Sequence, residues 1–137
     1  GDITLGSIYT PATGLISSGT ALVSRGLSID LGVQLEHIKL LGGESVDIVG
    51  RDTMGSMSVS LTAAQESTWR TDISNNALTT LSFGIGSAAG TVVQVFGREI
   101  QRVDPQTEDF NGRMMIAAET RWLPSDAGND EIRIIVR

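Results

Sequence analysis

The sequence predicts a mainly β protein of the α+β class, in which antiparallel strands form a two-sheet sandwich or barrel with one flanking helix. Glycine occurs 16 times in 137 residues and aromatic residues are only 4% of the chain, which favours short strands joined by glycine turns over a helical bundle. Apolar residues alternate with polar ones in several segments, whereas a helical pattern occurs once. With 40% hydrophobic and 19% charged residues, the chain can build one globular core.

The N-terminal segment differs in pattern from the rest of the chain. Residues 1–20 are rich in Gly, Ser and Thr, contain Pro11 and lack sustained alternation. We therefore expect an extended N-terminal arm or linker over residues 1–20, followed by a β-sandwich domain over residues 21–137.

Two long strands are predicted next. Apolar and polar residues alternate from Leu27 to Leu35, as in a strand with one buried face, and the phase slips at Glu36–His37, as a β-bulge would cause. Residues 50–55 are bracketed by glycines and predict a long hairpin loop. The alternation of residues 57–61 then predicts the second strand.

A helix follows the second strand. Thr62 precedes Gln65 by three residues, which is the spacing of a capping box. Trp69 and Ile73 lie four residues apart and so share one face of the helix. Asn75–Asn76 predicts the end of the helix, because asparagine tolerates the left-handed conformation found there.

The remainder of the chain predicts strands joined by turns. The loop Gly86–Gly90 joins two strands in a hairpin, Asp104–Pro105 is expected to end the second of them, and Asn111–Gly112 is a dipeptide favoured in tight turns. The predicted strands cover residues 81–85, 91–103, 113–123 and 131–137.

The sequence offers little for catalysis. The chain has no cysteine, and its one histidine, His37, is expected to be structural or exposed. The glycines at 84, 86 and 90 are spaced one residue too far for a dinucleotide fingerprint and precede a strand where a helix is required. The acidic groups 104–109 and 126–131 are predicted to be solvated turn residues. We expect no catalytic, metal or cofactor site and no enzymatic activity.

Charge and hydropathy exclude two further classes of protein. The net charge of −6 and isoelectric point near 4.6 argue against tight nucleic-acid binding, which requires cations to neutralise phosphates. No apolar run approaches the roughly 18 residues that a membrane span needs, so we expect no membrane anchor. Trp69 and Trp122 are expected in the core.

Several short segments resemble one known family. Leu27–Gly32 looks like the opening strand of that family, and Gly50–Ser56 like the loop between its two long strands. The helix with Trp69 and the segment Asn76–Gly86 after it are similar to its helix and following strand, as Asp109–Arg113 is to its final turn. On these segments the chain resembles the phage tail tube proteins of the siphophage and prophage type.

The resemblance implies a structural virion protein that assembles with itself. Such subunits form hexameric or pseudo-hexameric rings, which stack into a tail tube, contact other tail proteins and let DNA pass without tight binding. The implied location is the virion tail, after synthesis in the host bacterial cytoplasm. We predict that residues 41–56, including Met54, form an inter-ring or inter-subunit loop in which Arg51 and Asp52 make polar contacts. Arg51→Glu is expected to weaken assembly and leave the fold intact.

Two other classes of function remain open from the sequence. One is another virion component, such as a capsid decoration or head–tail joining protein, which would bind the shell. The other is a small-molecule-binding or enzymatic β domain. The sequence contains no plausible catalytic triad, metal cluster or phosphate loop, which counts against that last class.

Overall fold

The structure, a computed structural model, describes residues 1–88 and 90–137. Within these residues the chain forms eleven β-strands and one α-helix, so the predicted mainly β class with one helix is confirmed. The elements in chain order are β1 (Asp2–Leu5), β2 (Ile8–Thr10), β3 (Leu15–Ser17), β4 (Thr20–Asp30), β5 (Val33–Leu40), β6 (Gly43–Arg51), β7 (Met54–Ser60), α1 (Ala63–Ser74), β8 (Leu78–Ile85), β9 (Val93–Phe110), β10 (Arg113–Leu123) and β11 (Arg133–Val136).

Six of the strands close into an antiparallel barrel. They are hydrogen-bonded in the order β10-β7-β4-β1-β8-β9, and β9 pairs again with β10 to complete the circle. The core strands thus form one closed sheet instead of two stacked ones. β11 extends the sheet along the first residues of β9, and the pairs β2–β3 and β5–β6 form separate two-stranded sheets.

Alternation along the strands fills the barrel with apolar side chains, because successive residues of a strand point to opposite faces. Leu81 and Ile100 are completely buried, and Trp122 from β10 lies against them in the same cluster. Packing is close at Gly97, where an added Cβ would lie 2.4 Å from the Trp122 ring. A side chain at that position would displace the indole.

The predicted N-terminal arm is instead part of the barrel and of a hairpin beside it. β1 lies between β4 and β8, with Ile3 opposite Leu22 on one side and Phe83 on the other. β2 and β3 follow as a hairpin, in which the Tyr9 ring lies 5.6 Å from the ring of Phe96. The barrel therefore includes residues on both sides of the boundary predicted at residue 20. A four-residue strand is too short to show alternation in the sequence.

The single strand predicted over Leu27–Leu35 is interrupted by a turn. β4 ends at Asp30, whose carboxylate accepts a hydrogen bond of 3.0 Å from the Gly32 amide. Gly32 has a φ of +56°, and an added Cβ would lie 2.2 Å from the Asp52 carbonyl oxygen. Only glycine fits this turn without strain. The bulge expected at Glu36–His37 is not there, because both residues pair in continuous register with β6. The irregularity lies at Val49 of β6, opposite the step from Gln34 to Leu35.

The strand predicted to end at Asp104–Pro105 continues through these residues to Phe110. Val103 pairs with Glu119 and Gln106 with Ala117, so the two residues between them bulge out of the ladder. Asp104 has a φ of +48°. Proline is tolerated here because a bulge removes the need for its missing amide hydrogen.

The helix and the final hairpin turn agree with the sequence. Thr62 and Gln65 form both hydrogen bonds of the capping box, and Asn76 takes the left-handed conformation after the C-cap. Asn111 and Gly112 both have positive φ in the turn before β10. The loop at Gly86–Gly90 also joins two strands, with Ala89 outside the described residues.

Helix α1 packs on the barrel through Trp69, which is buried among the interior side chains of the strands. The guanidinium of Arg102 lies 4.8 Å from the centre of the Trp69 ring and donates to the Asp72 carboxylate at 2.9 Å. A buried arginine needs such a partner, because an unpaired charge in a core is strongly unfavourable. The stack and the ion pair together fix the helix on the barrel. The predicted burial of Trp69 and Trp122 is confirmed.

A matched pair of substitutions tests whether β1 belongs to the core. Ile3 is 0% exposed and Ile8 is 59% exposed. We expect Ile3→Ala to lower the free energy of unfolding by about 2–5 kcal/mol, as for other large-to-small changes in a core. Ile8→Ala should change it by about 0.5 kcal/mol or less. Urea denaturation followed by tryptophan fluorescence measures both, and equal effects would mean that β1 is detached from the core.

Candidate assembly surface

The β5–β6 hairpin leaves apolar side chains uncovered. Among the described residues, these two strands pair only with each other. Leu35, Val46 and Ile48 are 64%, 66% and 65% exposed, and the register places them on one side, with Leu35 directly opposite Ile48. We call these three residues the hairpin face. A two-stranded ribbon is marginally stable alone, so an uncovered face of this kind indicates a site of contact.

The opposite side of the hairpin carries an unfavourable charge pair. Glu36 lies directly across from Asp47, and both are exposed. Like charges directly opposite each other destabilise a strand pair. Nearby, Asp47 accepts a hydrogen bond of 3.1 Å from the hydroxyl of Ser45, which leaves the charge in place. A cation from outside the hairpin would relieve this repulsion.

The tip of the hairpin is also in solvent. Leu41 in the turn is fully exposed. Further from the turn, His37 lies directly opposite Val46, on the same side as the hairpin face, and forms an ion pair with Glu44. His37 is therefore an exposed surface residue, as the sequence predicts. Its ionic partner Glu44 is a neighbour within the hairpin.

The three residues singled out from the sequence do not form one loop. Most of residues 41–56 are strand, since β6 ends at Arg51 and β7 begins at Met54. Asp52 lies between them, and its amide donates to the Gly32 carbonyl at 3.3 Å. Met54 lies on the outer face of the barrel, opposite Asp30 on one side and Arg121 on the other.

Arg51 makes its polar contacts within its own chain. It forms an ion pair with Glu131 and donates to the side-chain oxygen of Asn129 at 3.1 Å. The Glu131 side chain is only 7% exposed. Loss of the guanidinium would leave a buried carboxylate without its cation, so the expectation that Arg51→Glu leaves the fold intact does not fit this contact.

The segment that binds Arg51 has its own internal order. Asp130 accepts hydrogen bonds from the hydroxyl and the amide of Ser125, at 2.6 and 2.8 Å. The Ser125 hydroxyl is the main reason that the pKa of Asp130 lies below its usual value, with a smaller contribution from the charge of Arg98. The base of the hairpin is thus tied to a structured loop that leads into β11.

A second apolar surface lies where β11 extends the sheet. Val136 is opposite Val93, which is opposite Ile85, and Ile134 is opposite Val95. Ile134 and Val136 are 63% and 71% exposed. They lie on the same face of the sheet as the side chains that fill the barrel interior. We call Ile85, Val93, Ile134 and Val136 the edge patch. In the part of the chain that the structure describes, β11 pairs with β9 alone, so its other edge is open.

Part of the outer face of the barrel strands β4, β7 and β10 carries mainly small polar side chains. Ser28, Ser56 and Glu119 form one row across the three strands, and the hydroxyls of Ser28 and Ser56 lie 2.8 Å apart. Ser58 and Ala117 form the adjacent row. We call these five residues the serine face.

A cleft lies under helix α1. It has a volume of about 380 Å³, and its two charged lining residues, Asp72 and Arg102, pair with each other. Within residues 1–88 and 90–137, no group of three His, Asp or Glu side chains is placed to hold a metal ion. In the same residues, no helix is long and apolar enough to cross a membrane.

Two comparisons with known protein sequences found no match. No protein-family model matches the chain, and no curated protein matches it significantly. Evidence on function therefore comes from the surfaces described above and from the resemblance of the short segments.

Substitution of Arg51 tests the tie between the hairpin and the C-terminal loop. We expect Arg51→Glu to lower the free energy of unfolding by roughly 2 kcal/mol, because Glu131 keeps its charge and loses its partner. The matched control is Arg113→Glu, at an exposed arginine with no ionic partner within residues 1–88 and 90–137. Urea denaturation measures both variants, and the swap Arg51→Glu with Glu131→Arg should recover part of the loss. Equal stability of the two single variants would contradict this role.

Proposed function

We propose that the protein is a self-assembling structural subunit whose copies form rings, and that the rings stack into a phage tail tube through which DNA passes. The observation that carries the proposal is the β5–β6 hairpin, which presents an uncovered apolar face on a ribbon of only two strands. The proposed location is the virion tail, where other tail proteins are further partners.

Assembly would explain why a two-stranded hairpin exposes apolar side chains. Burial of apolar surface contributes roughly 25 cal/mol per Å² removed from water, so contact with another subunit would stabilise the ribbon. The edge patch adds a second apolar surface on another part of the same chain. Two separate apolar surfaces allow each copy to contact two neighbours, which is the minimum needed for a ring.

The charge of the chain suits a channel for DNA. A net charge of −6 repels the phosphate backbone, and binding by counterion release requires lysines and arginines. The serine face supplies short hydroxyl side chains and the carboxylate of Glu119. We propose that this face forms the channel wall, because it would pass DNA without holding it.

The alternative within the same class is a decoration or head–tail joining protein. Such a protein would use the same exposed surfaces to bind a virion shell. The two proposals differ in whether the purified chain assembles with itself.

Assembly of the purified chain is the direct test. We expect light scattering and negative-stain microscopy across a concentration series to show rings or tubes with a central channel. Leu35→Ser with Ile48→Ser should weaken assembly and leave the urea midpoint nearly unchanged, because both side chains are already in solvent. Val23→Ser is the matched control, since Val23 is 62% exposed but lies on β4.

Two results would count against the tail tube. A strict monomer at all concentrations, which binds instead to isolated capsid shells, would favour the decoration or joining protein. Assembly weakened equally by Val23→Ser would mean that the hairpin face is not the contact surface.

A further inference from the structure

We propose that β6 of one copy pairs with the open edge of β11 in a second copy, antiparallel and with Asp47 opposite Ile135. The hairpin of one subunit would then continue the barrel sheet of the next. The inference rests on the proposed self-assembly and adds the partner strand and the register.

The hydrogen bonds of β11 show which of its backbone groups are open. Arg137 exchanges two backbone hydrogen bonds of 3.0 Å with Val92, the residue before β9. In an antiparallel pair, hydrogen-bonded and non-hydrogen-bonded positions alternate. Ile135 therefore points its backbone groups at β9, and Ile134 and Val136 point theirs at the open edge.

The same alternation applies to β6. The hairpin is closed by Leu40 and Gly43 on either side of a two-residue turn, and these positions form the hydrogen-bonded pair of a β-turn. Counting from there, Asp47 is hydrogen-bonded to β5, and Val46 and Ile48 direct their amides and carbonyls outward. The open groups of β6 and β11 thus have the same spacing of two residues.

The side chains match on both faces of the resulting sheet. With Asp47 opposite Ile135, Val46 lies opposite Val136 and Ile48 opposite Ile134. This places the hairpin face beside the edge patch, so that apolar side chains exposed in each copy pack against one another across the two strands. A shift by one residue would place each apolar side chain on the opposite face from its partners.

The charges on the other face are complementary. Arg133 and Arg137 lie two residues on either side of Ile135, and both are exposed. Diagonal neighbours in a sheet are within reach of long side chains, so both guanidinium groups can approach Asp47 and the adjacent Glu36. Arg133 also lies over the Tyr9 ring at 4.7 Å, which holds it on that face. The repulsion within the hairpin would thereby be relieved.

Such a contact is head-to-tail, because each copy gives its hairpin to one neighbour and its edge strand to another. Repetition of this contact closes into a ring when the rotation per copy divides a full turn, and otherwise gives a helical filament. Addition of a strand to an open edge is a common mode of protein recognition.

Disulfide cross-linking tests the register directly. The natural chain has no cysteine, so only introduced thiols can react. Asp47→Cys and Ile135→Cys are purified as separate variants with different mass tags, mixed and oxidised. Opposed residues at a non-hydrogen-bonded position have Cα atoms about 4.5 Å apart, within the span of a disulfide. We expect a covalent heterodimer, and about tenfold less of it when Val23→Cys replaces Asp47→Cys, in proportion to the difference in local concentration.

Charge reversal gives an independent readout. Asp47→Arg should weaken assembly about tenfold or more, because it places a third cation between the two arginines. Combination with Arg137→Glu should restore part of the affinity. Rings that form without the cross-link, or that tolerate Asp47→Arg, would overturn the pairing and leave the proposed function standing. A monomer that neither assembles nor cross-links would overturn both.

Discussion

Pairing of β9 with both β8 and β10 is the interaction on which the rest of the structure depends. This strand of 18 residues closes the barrel, and closure removes the open edges that make a sheet prone to association. Outside the barrel, the structure describes open edges in β11 and in the small hairpins. The open strand edges available for contact with another chain therefore lie on β11 and on the small hairpins, outside the closed barrel.

The closed barrel also positions β11 and the β5–β6 hairpin. The bulge at Asp104–Pro105 lets β9 continue as one long strand from the edge strand to the final hairpin turn. Gly32 turns the chain out of the barrel into β5, and Arg51 holds the returning strand against the loop before β11. The base of the hairpin and the loop that leads into the edge strand are thus linked by the contacts of Arg51 with Glu131 and Asn129.

Local patterns in the sequence predicted the local elements. The capping box of Thr62 and Gln65, the turn at Asn111–Gly112 and the strand after it depend on residues close together in the chain, and all three are present. The placement of β1, the passage of β9 through Pro105 and the pairing of Arg51 with Glu131 depend on partners far away in sequence. Glycine is common in turns, but apolar and polar residues alternate on both sides of Gly32. The pattern therefore predicted one continuous strand where the structure has a turn. The uncovered hairpin face and the opposition of Glu36 and Asp47 can be recognised only when the register between β5 and β6 is known. Alternation with a period of two residues does not give that register.

The inward-facing apolar surface of the barrel continues beyond the barrel onto β11. Phe83 and Val95, which face inward, lie in the same row as Ile134 at the open edge. The core of one copy is consequently continuous with a surface that, in an assembly of the kind proposed, packs beside a strand of the next copy. Association would then add to the stability of the folded subunit, whose thermal stability would rise with its own concentration.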